Sequence, residues 1–217
     1  MKPLNKIKII WSPAFAYAIG LMASDGNLSI DGRHMNFTSK DENLVMLFKK
    51  CLTLTNTIGK KGSGNSSEKN YFQIQFGDVR FYNFLLDIGL TPHKSKTLGP
   101  IRVPEKYFSH FLRGSFDGDG TFYSYWDPRW KSSFMFYTVF ISASHKHIEW
   151  LRSELKSFCG VEGHITKGGK TICYQLKYAK KESLIVLKEI YKNKSDIFLP
   201  RKYLKIRQAL GILSKSY

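Results

Sequence analysis

A nine-residue pattern occurs twice in the chain, as AIGLMASDG at residues 18–26 and as LRGSFDGDG at residues 112–120. In each copy a glycine stands five positions before an aspartate, Gly20 before Asp25 and Gly114 before Asp119. An internal repeat constrains a fold strongly, because each copy must bury the same kind of surface against the same kind of neighbour. Ser12-Pro13 offers a hydroxyl N-cap and a proline at the first helical position, so residues 13 to 24 read as a helix, apolar on every side and therefore buried on every side. Pro104 opens a second helical stretch, PEKYFSHFLRGSF, that closes on Asp119-Gly120. Small residues recur at spacing four, Ala16, Gly20 and Ser24 in one copy and Gly114 and Gly118 in the other. Such faces let two helix backbones approach closely, so the two helices are expected to pack through Gly20 and Gly114.

The segments downstream of the two helices repeat as well. NLSIDGRHMNFTSK reads as two short strands about an Asp-Gly turn, and Ser39-x-x-Glu42 as a capping box opening the helix ENLVMLFKKCL. A KGSGN loop, the alternating strand YFQIQF and a helix capped by Asp78 and stopped by Gly89 complete the first half. The second half offers a longer hairpin, TFYSYWDPRWKSSFMFYTVFIS, then the helix HKHIEWLRSELKSF, a KGGK turn, the strand TICYQLKY and the helix ESLIVLKEIYK. The expectation is an α+β chain: a tail over 1–12, one half over 13–90, a proline-bearing linker over 91–104 and a second half over 105–217.

Lys2, Lys6 and Lys8 ahead of the run from Ala14 to Ala23 imitate a signal peptide. A signal peptide does not recur at residue 104, and ten apolar residues are fewer than the about 20 that a membrane span needs. A secreted or membrane protein is therefore not expected. Cys51, Cys159 and Cys173 form no CxxC pair, which excludes a zinc ribbon and fits a reducing, intracellular compartment. The net charge of +17 calls for a polyanionic partner. No basic amphipathic helix suited to a membrane surface is evident, which leaves nucleic acid.

The repeated acids are oddly placed, because the C-terminal end of a helix already carries negative potential. If the small-residue faces meet, Asp25 and Asp119 stand together, and a divalent cation is the natural compensation. Hard oxygen ligands in a basic chain favour Mg²⁺ held jointly by protein and phosphate. DGDG is not a calcium loop, because its sixth and twelfth positions fall on Phe122 and Pro128; KGSGN lacks the ending of a nucleotide-binding loop. In YFQIQF, Gln73 and Gln75 point away from Phe72, Ile74 and Phe76. His34, Asn36, Thr38 and Lys40 share one face of the first hairpin, and Gln175 and Lys177 one face of the second half. Amides and cations are what base edges and phosphates accept, and a two-stranded ribbon fits the major groove.

AIGLMASDG and LRGSFDGDG, with the order of elements around them, resemble the paired motifs of the LAGLIDADG homing endonucleases. The resemblance implies a single-chain, two-motif monomer with pseudo-twofold αββαββα halves, packed through the motif helices with saddle-shaped sheets in the major groove. The partner would be a long, imperfectly palindromic double-stranded DNA site, cut to leave short 3′ overhangs. By position, Asp25 and Asp119 would be metal ligands and Lys40 a charge-stabilising or water-orienting residue. Mg²⁺ would support cleavage, and Ca²⁺ binding without cleavage. DNA contacts are expected from Ser29, Arg33, His34, Asn36, Thr38, Lys40, Gln73, Gln75, Arg129, Lys131, Gln175 and Lys177. Two departures stand out. Ala23 replaces an aspartate that the second copy keeps as Asp117, and aligning FTSKDENL with ISASHKHI sets Ser144 opposite Lys40, with His145, Lys146 or Lys131 as possible substitutes. The alternative on the same scaffold is an RNA maturase assisting intron splicing, or a DNA-binding protein that has lost cleavage.

Overall fold

The computed structural model describes residues 7–62, 70–168, 173–192 and 197–214. Its first half runs α1 (Pro13–Ser24), β1 (Gly26–Leu28), β2 (His34–Ser39), α2 (Glu42–Cys51), β3 (Ile58–Lys61), β4 (Tyr71–Gly77) and α3 (Val79–Asp87). The second runs α4 (Phe108–Gly118), β5 (Thr121–Trp126), β6 (Phe134–Ser142), α5 (His145–Cys159), β7 (His164–Lys167), β8 (Tyr174–Tyr178) and α6 (Lys180–Tyr191), followed by α7 (Pro200–Ser214). Each half is αββαββα, and each builds one four-stranded antiparallel sheet, ordered β1-β2-β4-β3 and β5-β6-β8-β7.

Strand alternation sorts the side chains. Met35, Phe37, Ile74 and Phe76 face inward in the first sheet, and Phe37 stacks on Phe48 of α2 at 4.6 Å between ring centroids. Phe122, Phe136, Phe140 and Leu176 do the same in the second, beside Ile148 and Leu151 of α5. The two halves share one core because α1 and α4 lie against each other. A Cβ added at Gly114 would sit 2.1 Å from the carbonyl oxygen of Tyr17, and one at Gly20 2.2 Å from that of Phe111. The helices can touch only because both positions lack a side chain.

Local chemistry moves some boundaries from those expected. The N-cap of α2 is Asp41, which accepts from the Asn43 amide at 3.1 Å, while Ser39 accepts from the Asp41 amide at 3.1 Å. A carboxylate nearer the helix displaces the Ser39 capping box. Pro104 starts a 3-10 turn, Glu105–Tyr107, and α4 begins only at Phe108. The turn between β1 and β2 is the expected Asp-Gly pair, with Gly32 at φ 76° and Asp31 accepting from the Arg33 and His34 amides. Ser12 and Asp78 cap α1 and α3 as expected. Most of the KGSGN loop and the end of the KGGK turn lie outside the described residues.

The segment 91–104 is tied down. Leu98 and Gly99 offer their carbonyls to Ser144 Oγ at 2.6 Å and His147 Nδ1 at 2.9 Å, and a 3-10 turn covers Lys94–Lys96. Helix α7 corresponds to none of the expected elements. It comes after α6 and returns to α4: the Leu199 amide, just ahead of it, donates to Asp117 Oδ2 at 2.8 Å.

Candidate functional site

Asp25 and Asp119 are the C-cap residues of α1 and α4, so the repeat places both carboxyls at the same end of the helix pair. The ends are close: a Cβ at Gly118 would lie 1.9 Å from Ser24 Oγ and 3.8 Å from Asp25 Oδ2. The Asp25 carboxyl is pushed up to about 7, first by burial and then by the neighbouring charge of Asp119. Asp119 is raised as well, by burial first. Its residue is open to solvent, and water on that side tempers the effect.

Two lysines oppose those shifts, and neither stands out in the motifs of the sequence. Lys94 and Lys202 each pull both carboxyls back down, while burial pushes each ammonium down to about 8. Lys94 Nζ donates to the Ser24 carbonyl at 2.9 Å. Lys202 Nζ donates to the carbonyls of Phe116, Gly118 and Gly120 at 2.7, 3.3 and 2.6 Å. Ser24 and Gly118 are equivalent positions of the repeat, so the same helix-end carbonyl is capped by a lysine in both halves. Cations belong at helix C-termini, and these two also face the acids. A signal for them was present: Pro92-His93-Lys94 comes after α3 and Pro200-Arg201-Lys202 opens α7, a third repeated feature of the chain.

Asp117 does not join the pair. It is fully buried, its Oδ2 accepts from Tyr17 Oη at 2.8 Å and from the Leu199 amide, and burial raises its carboxyl to about 6. It anchors α7, and with it Lys202, to α4. Ala23 occupies the equivalent place in α1.

Lys40 lies beyond the end of β2 with its Nζ 5.3 Å from the Tyr71 ring centroid, and it is not among the cations acting on Asp25 or Asp119. Structural register revises its partner. Phe37 and Phe140 are equivalent, each paired with the buried central residue of the next strand, Ile74 or Leu176. Counting on from them, Asp41 matches Ser144, both N-caps, and Lys40 matches Ala143 rather than Ser144. Ser144 is buried, and His145 Nδ1 lies 3.6 Å from Glu149.

Asn36, Thr38, Gln73 and Gln75 share the outward face of the first sheet, with Asn36 opposite Gln75 and Thr38 opposite Gln73. His34 is on that face but is held by Asp31, and Arg33 lies in the adjoining turn. At Ser29 the main-chain carbonyl accepts from Tyr82 Oη at 2.6 Å. On the second sheet Gln175 and Lys177 share the outward face. Arg129 pairs with Asp127 at the tip of the β5–β6 hairpin, next to the exposed Lys131. The structure thus brings Asp25 and Asp119 together at one end of the helix pair and spreads the other residues over two sheet faces and the turns beside them.

The donor set fits a hard divalent cation. Among the described residues no group of three or more His, Cys, Asp or Glu surrounds a common point, so an ion there would take two carboxylates from the protein and the rest of its shell from water and phosphate. No described helix is long and apolar enough to cross a membrane.

No protein-family model matches the chain, and no curated protein matches it. Solved structures do. Full-length DUF199/WhiA from Thermatoga maritima superposes with a TM-score of 0.58 at 14% identity, covering 98% of this chain and 64% of that one, so the chain spans less than two thirds of that protein. The I-LtrWI LAGLIDADG homing endonuclease bound to target DNA gives 0.58 at 10% identity, covering 94% and 91%. I-SmaMI bound to uncleaved DNA target in the presence of calcium ions gives 0.58 at 14%, covering 95% and 93%. At these identities the likeness shows the two-half LAGLIDADG fold.

Proposed function

We propose that this chain binds double-stranded DNA across its two outward sheet faces and hydrolyses one phosphodiester in each strand at the Asp25–Asp119 centre, as a site-specific endonuclease. The observation that carries the reading is the doubled arrangement of acid and lysine: Asp25 with Lys94 and Asp119 with Lys202, each at the C-terminal end of a motif helix. Two carboxylates raised by burial, Asp25 also by the charge of Asp119, have no structural use that two amides would not serve better. They suit a site that receives positive charge. The solved complexes with DNA, and with calcium at an uncleaved target, support the reading.

Asp25 and Asp119 would hold Mg²⁺, which when bound offsets charge on the phosphate oxygens. Lys94 keeps its proton at Nζ near neutral pH, and from its buried position beside the acids its charge can offset charge developing on the phosphate without contact. Lys202 holds the end of α4 in place. The outward amides fix the register of the duplex so that the phosphates fall at this point.

The test begins with selection of a bound site from a random duplex pool. A supercoiled plasmid carrying that site is expected to be cut with Mg²⁺ and only bound with Ca²⁺. Asp25→Asn and Asp119→Asn should each lower cutting by roughly 10²-fold or more while binding persists. Binding by the unaltered chain without any cutting would leave a DNA- or RNA-binding protein on the same scaffold and refute the nuclease.

A further inference from the structure

The outward faces of the two sheets differ in chemistry. Register places Asn27, Asn36 and Gln75 in one cross-strand row of the first sheet, with Thr38 and Gln73 in another. In the second sheet the equivalent rows are Thr121, Val139 and Lys177, and Ile141 opposite Gln175, while further along the hairpin Tyr123 lies opposite Tyr137 and Tyr125 opposite Met135. Residues of the other parity, Phe122, Phe136 and Phe140, are buried, so these side chains point away from the core. The three tyrosine rings lie within 18° of parallel, with centroids 5.1 to 6.5 Å apart.

Rings packed on one another at these offsets cover part of each other's faces and leave less area on which unpaired bases stack. Met135 lies opposite Tyr125 on this face, and Ile141 lies on the same face beyond Val139. Lys177 lies within this face, and Arg129 and Lys131 lie at the tip of the hairpin that carries the tyrosines. A face that is richer in aromatic and aliphatic side chains than that of the first sheet, with cations within it and at its tip, on a chain of net charge +17, suits a polyanion that displays apolar groups between its phosphates. In the major groove of duplex DNA that group is the thymine C5-methyl, whereas amides pair with the N6 and N7 of adenine.

We infer that the second sheet reads its half-site through thymine methyl groups while the first reads its own through hydrogen bonds. The target is then asymmetric in the kind of recognition as well as in sequence, and the methyl groups distinguish DNA from RNA. This rests on the proposal that the chain binds duplex DNA and adds what one half of the protein recognises.

The experiment uses the full chain with Ca²⁺ and the selected duplex, in which thymine is replaced by uracil in one half-site at a time. One half is expected to lose about fourfold in affinity for each methyl removed that the sheet touches. The other half should change by less than about twofold, since its amide contacts do not involve the methyl. Met135→Gln, at a half-buried surface position, should reduce the uracil effect in the sensitive half by the share of the methyl it touches, and the substitution on the DNA does not perturb the protein's fold. Equal tolerance of uracil in both halves, with salt-dependent duplex binding intact, overturns the inference alone. Binding of the uracil-containing RNA counterpart as tightly as the thymine-containing DNA also overturns it. Failure to bind any duplex overturns the proposed DNA-binding function itself.

Discussion

His147 is the residue whose ionisation is set most plainly by folding. It is buried, its Nδ1 bonds the Gly99 carbonyl, and burial, helped by Lys94, pushes its imidazole down to about 4 against the pull of that hydrogen bond. The unfolded imidazole takes its proton at about 6.5, so between those values the unfolded chain binds more protons than the folded one. The contribution is therefore complete above about 6.5 and is lost as pH falls toward 4, a change of roughly 3 kcal/mol. Asp25 acts in the opposite sense, since a raised carboxyl stabilises the protonated folded chain as pH falls. The informative quantity is the difference between the native chain and His147→Gln in urea unfolding from pH 4 to 7. It should rise with pH for the native chain, and a flat difference would contradict the assignment.

At the scale of elements, the contact between α1 and α4 sets the positions of both acids. Gly114→Ala would place a Cβ 2.1 Å from the Tyr17 carbonyl oxygen and 3.2 Å from Gly20 Cα, so the helices would have to separate. Overpacking against backbone cannot be relieved by a rotamer change, and a loss of about 3 kcal/mol is expected. In a chain of this size that lowers the melting temperature by roughly 6 to 12 °C. Gly211→Ala on α7, where an added Cβ meets nothing within 4 Å, is the control and should leave the melting temperature unchanged or raise it. The helix contact was legible in the sequence because glycine spacing is local and repeated. The same holds for the inward and outward faces of the central strands β2, β4 and β8, where side chains alternate strictly. Lys94 and Lys202 escaped notice because they sit among 34 Lys and Arg residues, and their role depends on where chain segments far from the motifs return. Helix α7 is held by the Leu199–Asp117 bond, a contact across 82 residues that no local pattern announces.

For the whole molecule, the two halves are equivalent in architecture but unequal in chemistry around the proposed cleavage positions. Asp25 matches Asp119 and Lys94 matches Lys202, yet Lys40 is matched by Ala143. Lys202 directs all three of its N–H donors to main-chain carbonyls, whereas Lys94 donates to the Ser24 carbonyl. Lys94 is buried, so the exposed Lys40 is the additional positive charge that a phosphate on the side of the first half meets. Because each fixed donor at a developing charge contributes strongly to rate, the two strands should be cut at unequal speeds, by roughly tenfold or more. On a supercoiled plasmid carrying the selected site, nicked circles should accumulate before linear product, and end-labelling should place the early nick in the same strand every time. Lys40→Ala should slow the fast strand more than the slow one and bring the two rates together. Simultaneous cutting of both strands, or an early nick divided equally between them, would mean that the doubled acids and lysines alone set the rate and that the difference between Lys40 and Ala143 has no part in it.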